Sequence, residues 1–182
     1  MKLSTVMVTN YLLVLWLLMP AGAANLVPPL AAKLWPKFSY PMDFNLEFRK
    51  KRVLGSHKTF RGLIAGVICG EIIFLIQKYL ITSVVFTPLY SGVPWYFGGV
   101  VGAGALGGDA VKSFFKRQFG VVSGKTWFPW DQIDWIIGTL IIAGLMVKFR
   151  WQEVLFVIFA GILLHLAIKA IGFLLKINET II

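Results

Sequence analysis

Five long apolar stretches, separated by short basic segments, leave this chain few folds to adopt. The first runs from about Leu3 to Trp35 and is broken by Pro20, Pro28 and Pro29. The others are Gly62–Ile81, about Trp95–Phe115, about Asp131–Lys148 and Trp151–Ile177. Each reaches or approaches the roughly 20 residues a helix needs to cross about 30 Å of hydrocarbon. Hydrophobic residues make up 58% of the 182 and charged residues 14%, too few to clothe a water-facing surface. The expected fold is an all-α polytopic membrane bundle of five transmembrane helices, with residues 1–182 forming one membrane-embedded domain. Lys2, the Leu-rich run through Met19 and then Ala21-Gly22-Ala23 imitate a cleaved secretory leader. The apolar character continues through Leu26–Leu34, which suits a retained, proline-kinked first helix.

Orientation follows from the cations. The segment Lys33–Arg61 carries eight (Lys33, Lys37, Arg49, Lys50, Lys51, Arg52, Lys58 and Arg61), and Lys112, Lys116, Arg117 and Lys125 add four after the third span. The opposite side holds Lys2, Lys78, Lys148 and Arg150. The positive-inside rule then places the N-terminus outside and the C-terminus in the cytoplasm of a multi-pass cell-membrane protein. Tyr90, Trp95, Tyr96 and Trp151 would gird one interface, and Trp127, Trp130 and Trp135 the other. The basic excess suits membrane lipids and a polyanionic substrate such as a nucleotide; no nucleic-acid partner is expected. Cys69 stands alone, and with only His57 and His165 beside it no disulfide framework or Cys/His zinc site is available.

The acids are the informative minority, 8 against 18 Lys and Arg. A carboxylate at membrane depth is costly and is a functional candidate by default. Asp109 lies roughly 21 Å along the third span at about 1.5 Å per residue. Asp109, Lys112, Ser113, Lys116 and Arg117 recur at i, i+3, i+4, i+7 and i+8, one helical stripe. A snorkelling basic end with an i,i+3 ion pair reads equally well. Asp131 and Asp134 share a face at the next helix start, where N-capping by Asp131 is the plainer reading. Asp134, one turn in and without an adjacent base, resists it. Three of the chain's four aspartates thus fall at one level, and like charges need a cation to hold them. Oxygen-only donors suit a hard divalent ion, Mg²⁺ being the expectation, shared with substrate phosphates.

Gly55-Ser56-His57-Lys58-Thr59-Phe60-Arg61-Gly62 mixes glycines, hydroxyls and cations before the second span, and is read as a phosphate-contacting segment through Lys58 and Arg61. Arg49-Lys50-Lys51-Arg52 upstream is lipid-facing charge. The run Gly98–Gly108 lacks a Lys-Ser/Thr ending and lies within a span; small residues four apart there serve close helix packing. Glu71, near mid-span, either bonds a neighbouring helix or lines a cavity. His165 and Lys169 could meet a lipid phosphate, with Lys169 equally able to snorkel.

Taken together, Gly108-Asp109, Ser113, Lys116-Arg117, Gly120 and Pro129-x-Asp131-Gln132-x-Asp134 resemble the CDP-diacylglycerol synthase superfamily. Gly55-Ser56-His57-Lys58-Thr59-x-Arg61-Gly62 is similar to the first cytoplasmic motif of its archaeal branch, the CDP-archaeol synthases. The resemblance covers essentially the whole chain. It implies a Mg²⁺-dependent cytidylyltransferase that joins CTP to an unsaturated isoprenoid glycerophosphate lipid and releases pyrophosphate. Asp109, Asp131 and Asp134 would then be catalytic, metal-binding acids, and Lys58, Thr59, Arg61, Ser113, Lys116 and Arg117 the nucleotide-phosphate site. Gln132 stands where bacterial and eukaryotic relatives carry Arg. A CDP-alcohol phosphotransferase would want four clustered acids beginning Asp-Gly, whereas Ala110 follows Asp109. A transporter or channel would put its charges near mid-membrane, where only Glu71 lies. A homodimer is compatible with the sequence, which does not fix the oligomeric state.

Overall fold

The computed structural model describes residues 6–7, 11–80, 90, 92–122 and 125–174. Among the described residues the chain forms five helices: α1 (Tyr11–Leu34), α2 (Phe60–Tyr79), α3 (Phe97–Gln118), α4 (Trp130–Gly144) and α5 (Trp151–Leu174). Four two-residue strands accompany them: β1 (Val6–Met7), β2 (Glu47–Phe48), β3 (Lys51–Arg52) and β4 (Val147–Lys148). α1, α2 and α3 pack on one another, α4 lies along α3, and α5 leans more lightly on α4 and α1. α1 and α2 are long and apolar enough to cross a membrane, and Trp151–Ala167 is a shorter apolar stretch.

α2 shows why these helices associate. Its inward positions include Gly62, Gly66 and Gly70, while Ile64, Ile68, Ile72 and Ile76 point outward and are exposed. A water-soluble helix is arranged the other way round. Lipid outside removes the hydrophobic drive for packing, so contact depends on small residues that let backbones approach. A Cβ added at Gly70 would meet the Gly98 carbonyl at 2.8 Å, and one at Gly66 the Ala24 carbonyl at 2.8 Å. The Gly-rich run of α3 is therefore a packing surface, as the four-residue spacing anticipates.

α1 continues through its three prolines, at the cost of intrahelical hydrogen bonds. Pro20 has no N–H to offer the carbonyl of Trp16, and α2 supplies the missing donor: Gln77 Nε2 donates to Trp16 O at 2.9 Å, with Gln77 fully buried.

Some expectations shift at the edges. Val6–Met7 pairs in parallel with Val147–Lys148 rather than extending the first helix, and the same pairing ends the fourth. α4 has 15 residues, about 22 Å, and so falls short of the hydrocarbon thickness by itself. Tyr90 belongs to the core rather than an aromatic girdle: its ring packs on Phe74, and its hydroxyl accepts from Trp16 Nε1. Trp135 is partly buried against the core, and a Cβ added at Gly22 or Gly161 would meet its ring at 3.7 Å, another departure from the girdle, whereas Trp95, Tyr96, Trp130 and Trp151 are exposed. Most of the expected Thr82–Pro94 turn lies outside the described residues.

Replacing Gln77 with Leu removes the side-chain donor to the Trp16 carbonyl. Gln77→Leu should destabilise the bundle by about 1–3 kcal/mol, read as a lower unfolding midpoint in detergent with the helical circular-dichroism signal unchanged at low temperature.

Candidate active site

The stripe on α3 faces both the start of α4 and the segment that leads into α2. Lys112 is its centre. The Lys112 ammonium lies 3.3 Å from Asp109 Oδ1, 2.6 Å from Asp131 Oδ1 and 3.0 Å from Asp134 Oδ2. Lys58, from the segment before α2, pairs with Asp109. Lys116, one turn beyond Lys112, reaches Asp131 Oδ2 at 3.0 Å. Three carboxylates thus meet three ammonium groups in a cluster that is mostly shielded, Asp134 being the most enclosed with a side chain only 5% exposed.

Glycine makes this possible. α3 and α4 cross so closely that a Cβ at Gly104 would meet the Gly138 carbonyl at 2.8 Å, and one at Gly108 would run into the backbone carbonyl of Asp134. Gly108 therefore sets how near Asp134 comes to the residue after it, Asp109. Asp131 is not the N-cap of α4, since that position is Pro129. It sits in the first turn and reaches back, Oδ2 accepting from the Trp127 backbone N–H at 2.6 Å while both oxygens face lysines.

The segment before α2 is held at several points. Ser113 Oγ accepts from the Gly55 N–H at 3.0 Å, and Thr59 caps α2 through the Gly62 N–H at 3.3 Å. Met42 N donates to Lys58 O at 2.9 Å and Phe60 N to Tyr40 O at 3.0 Å. Upstream, β2 and β3 form a hairpin whose turn, Arg49-Lys50, has left-handed backbone at both positions (φ 53° and 60°). Lys51 ties this hairpin to the Gln118 carbonyl at the end of α3, 2.9 Å away. Asp43 organises its base, accepting from Arg52 at 2.7 Å, the Leu54 N–H at 2.9 Å and the Asn45 N–H at 3.1 Å. Burial opposes ionisation of Asp43, but the Arg52 side chain and the Leu54 and Asn45 amides outweigh it and hold the carboxyl below the usual range.

Of the sequence candidates, Asp109, Asp131, Asp134, Lys58 and Lys116 come together. Ser113 and Thr59 adjoin them as backbone anchors. Arg61 is drawn elsewhere, its guanidinium bonding the carbonyls of Trp35 and Pro36 at the end of α1. Arg117 makes no ion pair among the described residues. Lys112 lay on the stripe, but periodicity alone did not separate it from a snorkelling lysine. Glu71 bonds the neighbouring helix, Oε2 accepting from the Gly99 N–H at 2.7 Å in the first turn of α3, and also lines a small cleft. His165 lines a groove of about 870 Å³ between α1, α4 and α5, away from the cluster; the Lys169 side chain lies outside the described residues.

The donor chemistry suits a hard divalent ion: three carboxylates, oxygen only, already gathered on one cation. Among the described residues no three acidic, histidine or cysteine side chains are arranged to enclose a metal by themselves, and the point the aspartates share belongs to Lys112. From this cluster a groove of about 920 Å³ runs along α3 and α4, floored by Gly104, Gly107, Gly108 and Gly138 and walled by side chains such as Phe115, Trp130 and Ile137. Lys112 and Asp134 are its charged lining.

An apolar groove beside buried, paired charges, within a helical bundle that turns its large apolar side chains outward, defines the class: an all-helical membrane protein. Comparison gives the family. Residues 7–182 match the model of the CarS-like CDP-archaeol synthases, and the chain belongs to that family. It is 32% identical to a CDP-archaeol synthase of Methanopyrus kandleri over 91% of this chain and 90% of the relative. It is 29% identical to one of Methanocaldococcus jannaschii, covering 91% and 93%. A solved intramembrane enzyme for archaeal membrane lipid biosynthesis superposes with a TM-score of 0.75 at 27% identity, covering 90% of this chain and 97% of that one.

Two outcomes test this geometry. Gly108→Ala should push α4 off α3 and lower kcat/KM more than tenfold, at least about 1.4 kcal/mol. Gly107→Ala, whose added Cβ meets nothing within 4 Å, should leave the melting temperature unchanged or raise it. Because Asp43 holds its proton less tightly folded than unfolded, the stability it gives the hairpin is fully present above the usual carboxylate range and is lost as pH falls below that range through the lowered folded value. Amide exchange at Asn45 and Leu54, corrected for its intrinsic pH dependence, should lose protection on acidification below about pH 4. Asp43→Asn should lack that dependence.

Proposed function

We propose that this chain is a CTP-dependent cytidylyltransferase that transfers CMP to an isoprenoid ether lipid phosphate, 2,3-bis-O-geranylgeranyl-sn-glycerol 1-phosphate. The products are CDP-archaeol and pyrophosphate. The observation that carries the reading is the paired-charge cluster at the head of the apolar groove, and relatives named for this synthesis support it.

The chemistry needs no general base. A phosphate monoester has its second pKa near about 6, so the lipid phosphate is already a nucleophile. Its oxygen bonds to the α-phosphorus of CTP, and the bond to the β-phosphate oxygen breaks to release pyrophosphate. The obstacle is an anion approaching an anion. Lys58 and Lys116 would hold phosphate oxygens, while Thr59 and Ser113 keep the Lys58 segment in place. Asp109, Asp131 and Asp134 would hold Mg²⁺, which when bound supplies charge neutralisation at the reacting phosphate and the leaving group. The apolar groove would take an isoprenoid chain. The reading sets five helices across the membrane, N-terminus outside and C-terminus cytoplasmic, so that the cluster faces the compartment that holds CTP; the distribution of cations supports it.

Purified protein should release pyrophosphate from CTP only when Mg²⁺ and the lipid phosphate are both present. Release of CMP instead, or solute flux with neither, overturns the proposal in favour of a phosphotransferase or a transporter. Asp131→Asn and Asp134→Asn should each lower turnover more than tenfold, about 1.4 kcal/mol, with nearly unchanged folding. A variant that keeps more than a tenth of wild-type turnover removes that residue from the metal site.

A further inference from the structure

Lys112 holds the position that the reaction would give to a metal. Lys58 and Lys116 each pair with one acid, whereas Lys112 touches three, and among the described residues it is the cation partner of Asp134. We propose that Lys112 is an internal counter-ion: it keeps Asp109, Asp131 and Asp134 assembled before substrate arrives, then yields them to the divalent ion as its ammonium turns toward a substrate phosphate. This rests on reading the three aspartates as metal ligands.

Three features favour an exchange over permanent pairing. An ammonium and a divalent ion cannot share one set of carboxylate oxygens, because like charges at that spacing repel. Lys112 also lines the groove on α3 and α4, so its flexible four-carbon stem borders open space. And the side the ammonium would turn toward is where a lipid phosphate would end if its chain lay in that groove. Lys112 is a positioning residue in the resting protein, and it makes the site costly to enter for a bare metal ion and cheaper for one that arrives with phosphate.

The test uses full-length protein in detergent without nucleotide, with Mn²⁺ alone as the probe, followed by its paramagnetic resonance. Lys112→Met should bind Mn²⁺ at least about tenfold tighter than wild type, since the competing cation is gone. In EDTA its melting temperature should lie below wild type, and Mg²⁺ should raise it more than it raises wild type. Equal or weaker Mn²⁺ binding by Lys112→Met, or a melting temperature indifferent to EDTA and Mg²⁺, overturns the proposal. Should that variant not fold, wild-type protein carrying isotope-labelled lysine decides: the Lys112 side-chain resonance, assigned by its absence in Lys112→Arg, should shift on adding Mg²⁺ alone, and a fixed resonance overturns the proposal. Asp134→Asn separates the two levels. If it loses Mn²⁺ while Lys112→Met gains nothing, the metal assignment stands and only the counter-ion role falls. If it binds Mn²⁺ like wild type, both fall.

Discussion

Three carboxylates brought to one point repel one another, and two of them about 4 Å apart already do so by about 4 kcal/mol at the effective dielectric of a partly buried site. Their partners here are the three lysines Lys58, Lys112 and Lys116, delivered by two devices. Lys112 and Lys116 come from the turns of α3 that follow Asp109. Lys58 comes from a segment clamped between Ser113 and the cap of α2. The bundle can be read as the scaffold that makes this meeting of charges tolerable: it brings the cations in wherever it brings the acids in.

That meeting requires helix backbones nearer than ordinary side chains allow, and the glycines of α2, α3 and α4 provide the approach. The same residues solve a second problem. In lipid, helix faces gain nothing from hiding apolar surface, so the isoleucines of α2 turn outward and contact is left to glycine, alanine and backbone. Polar groups freed inside must then find partners within the protein. The Trp16 carbonyl, released by Pro20, is met by Gln77, and the first turn of α3 receives Glu71 as its acceptor at Gly99. Glu71 and Gln77, which look like functional outliers in an apolar helix, are both used to satisfy backbone.

The segment between α1 and α2 works differently. It has little apolar core, and its order comes from point attachments: Asp43 to Arg52 and two amides, Lys51 to the end of α3, and Arg61 to the carbonyls that close α1. A loop held in this way can present Lys58 accurately while leaving Ser56 and His57 exposed beside it. Accurate placement of one cation and open access next to it suit the role proposed for this centre, the admission of a water-soluble nucleotide.

The amino-acid sequence alone determined the class of protein and the helical stripe. Apolar length set the helices, and a period of 3.6 residues put Asp109, Lys112, Ser113 and Lys116 on one face before any neighbour was known. It also marked Asp131 and Asp134 as a pair, and the glycine spacing of α3 as a packing surface. Only the tertiary structure decided which cation meets which acid. Periodicity says what shares a face but not what that face meets, so Lys112 and Arg117 looked alike along the chain, yet one sits among three aspartates and the other outside the cluster. Arg61 was diverted to backbone carbonyls, Tyr90 was drawn into the core, and α4 ended early where Val147 found a partner strand. In each case the deciding contact joins residues far apart in sequence, and for the charge cluster it exists because the backbones of α3 and α4 come close at glycine.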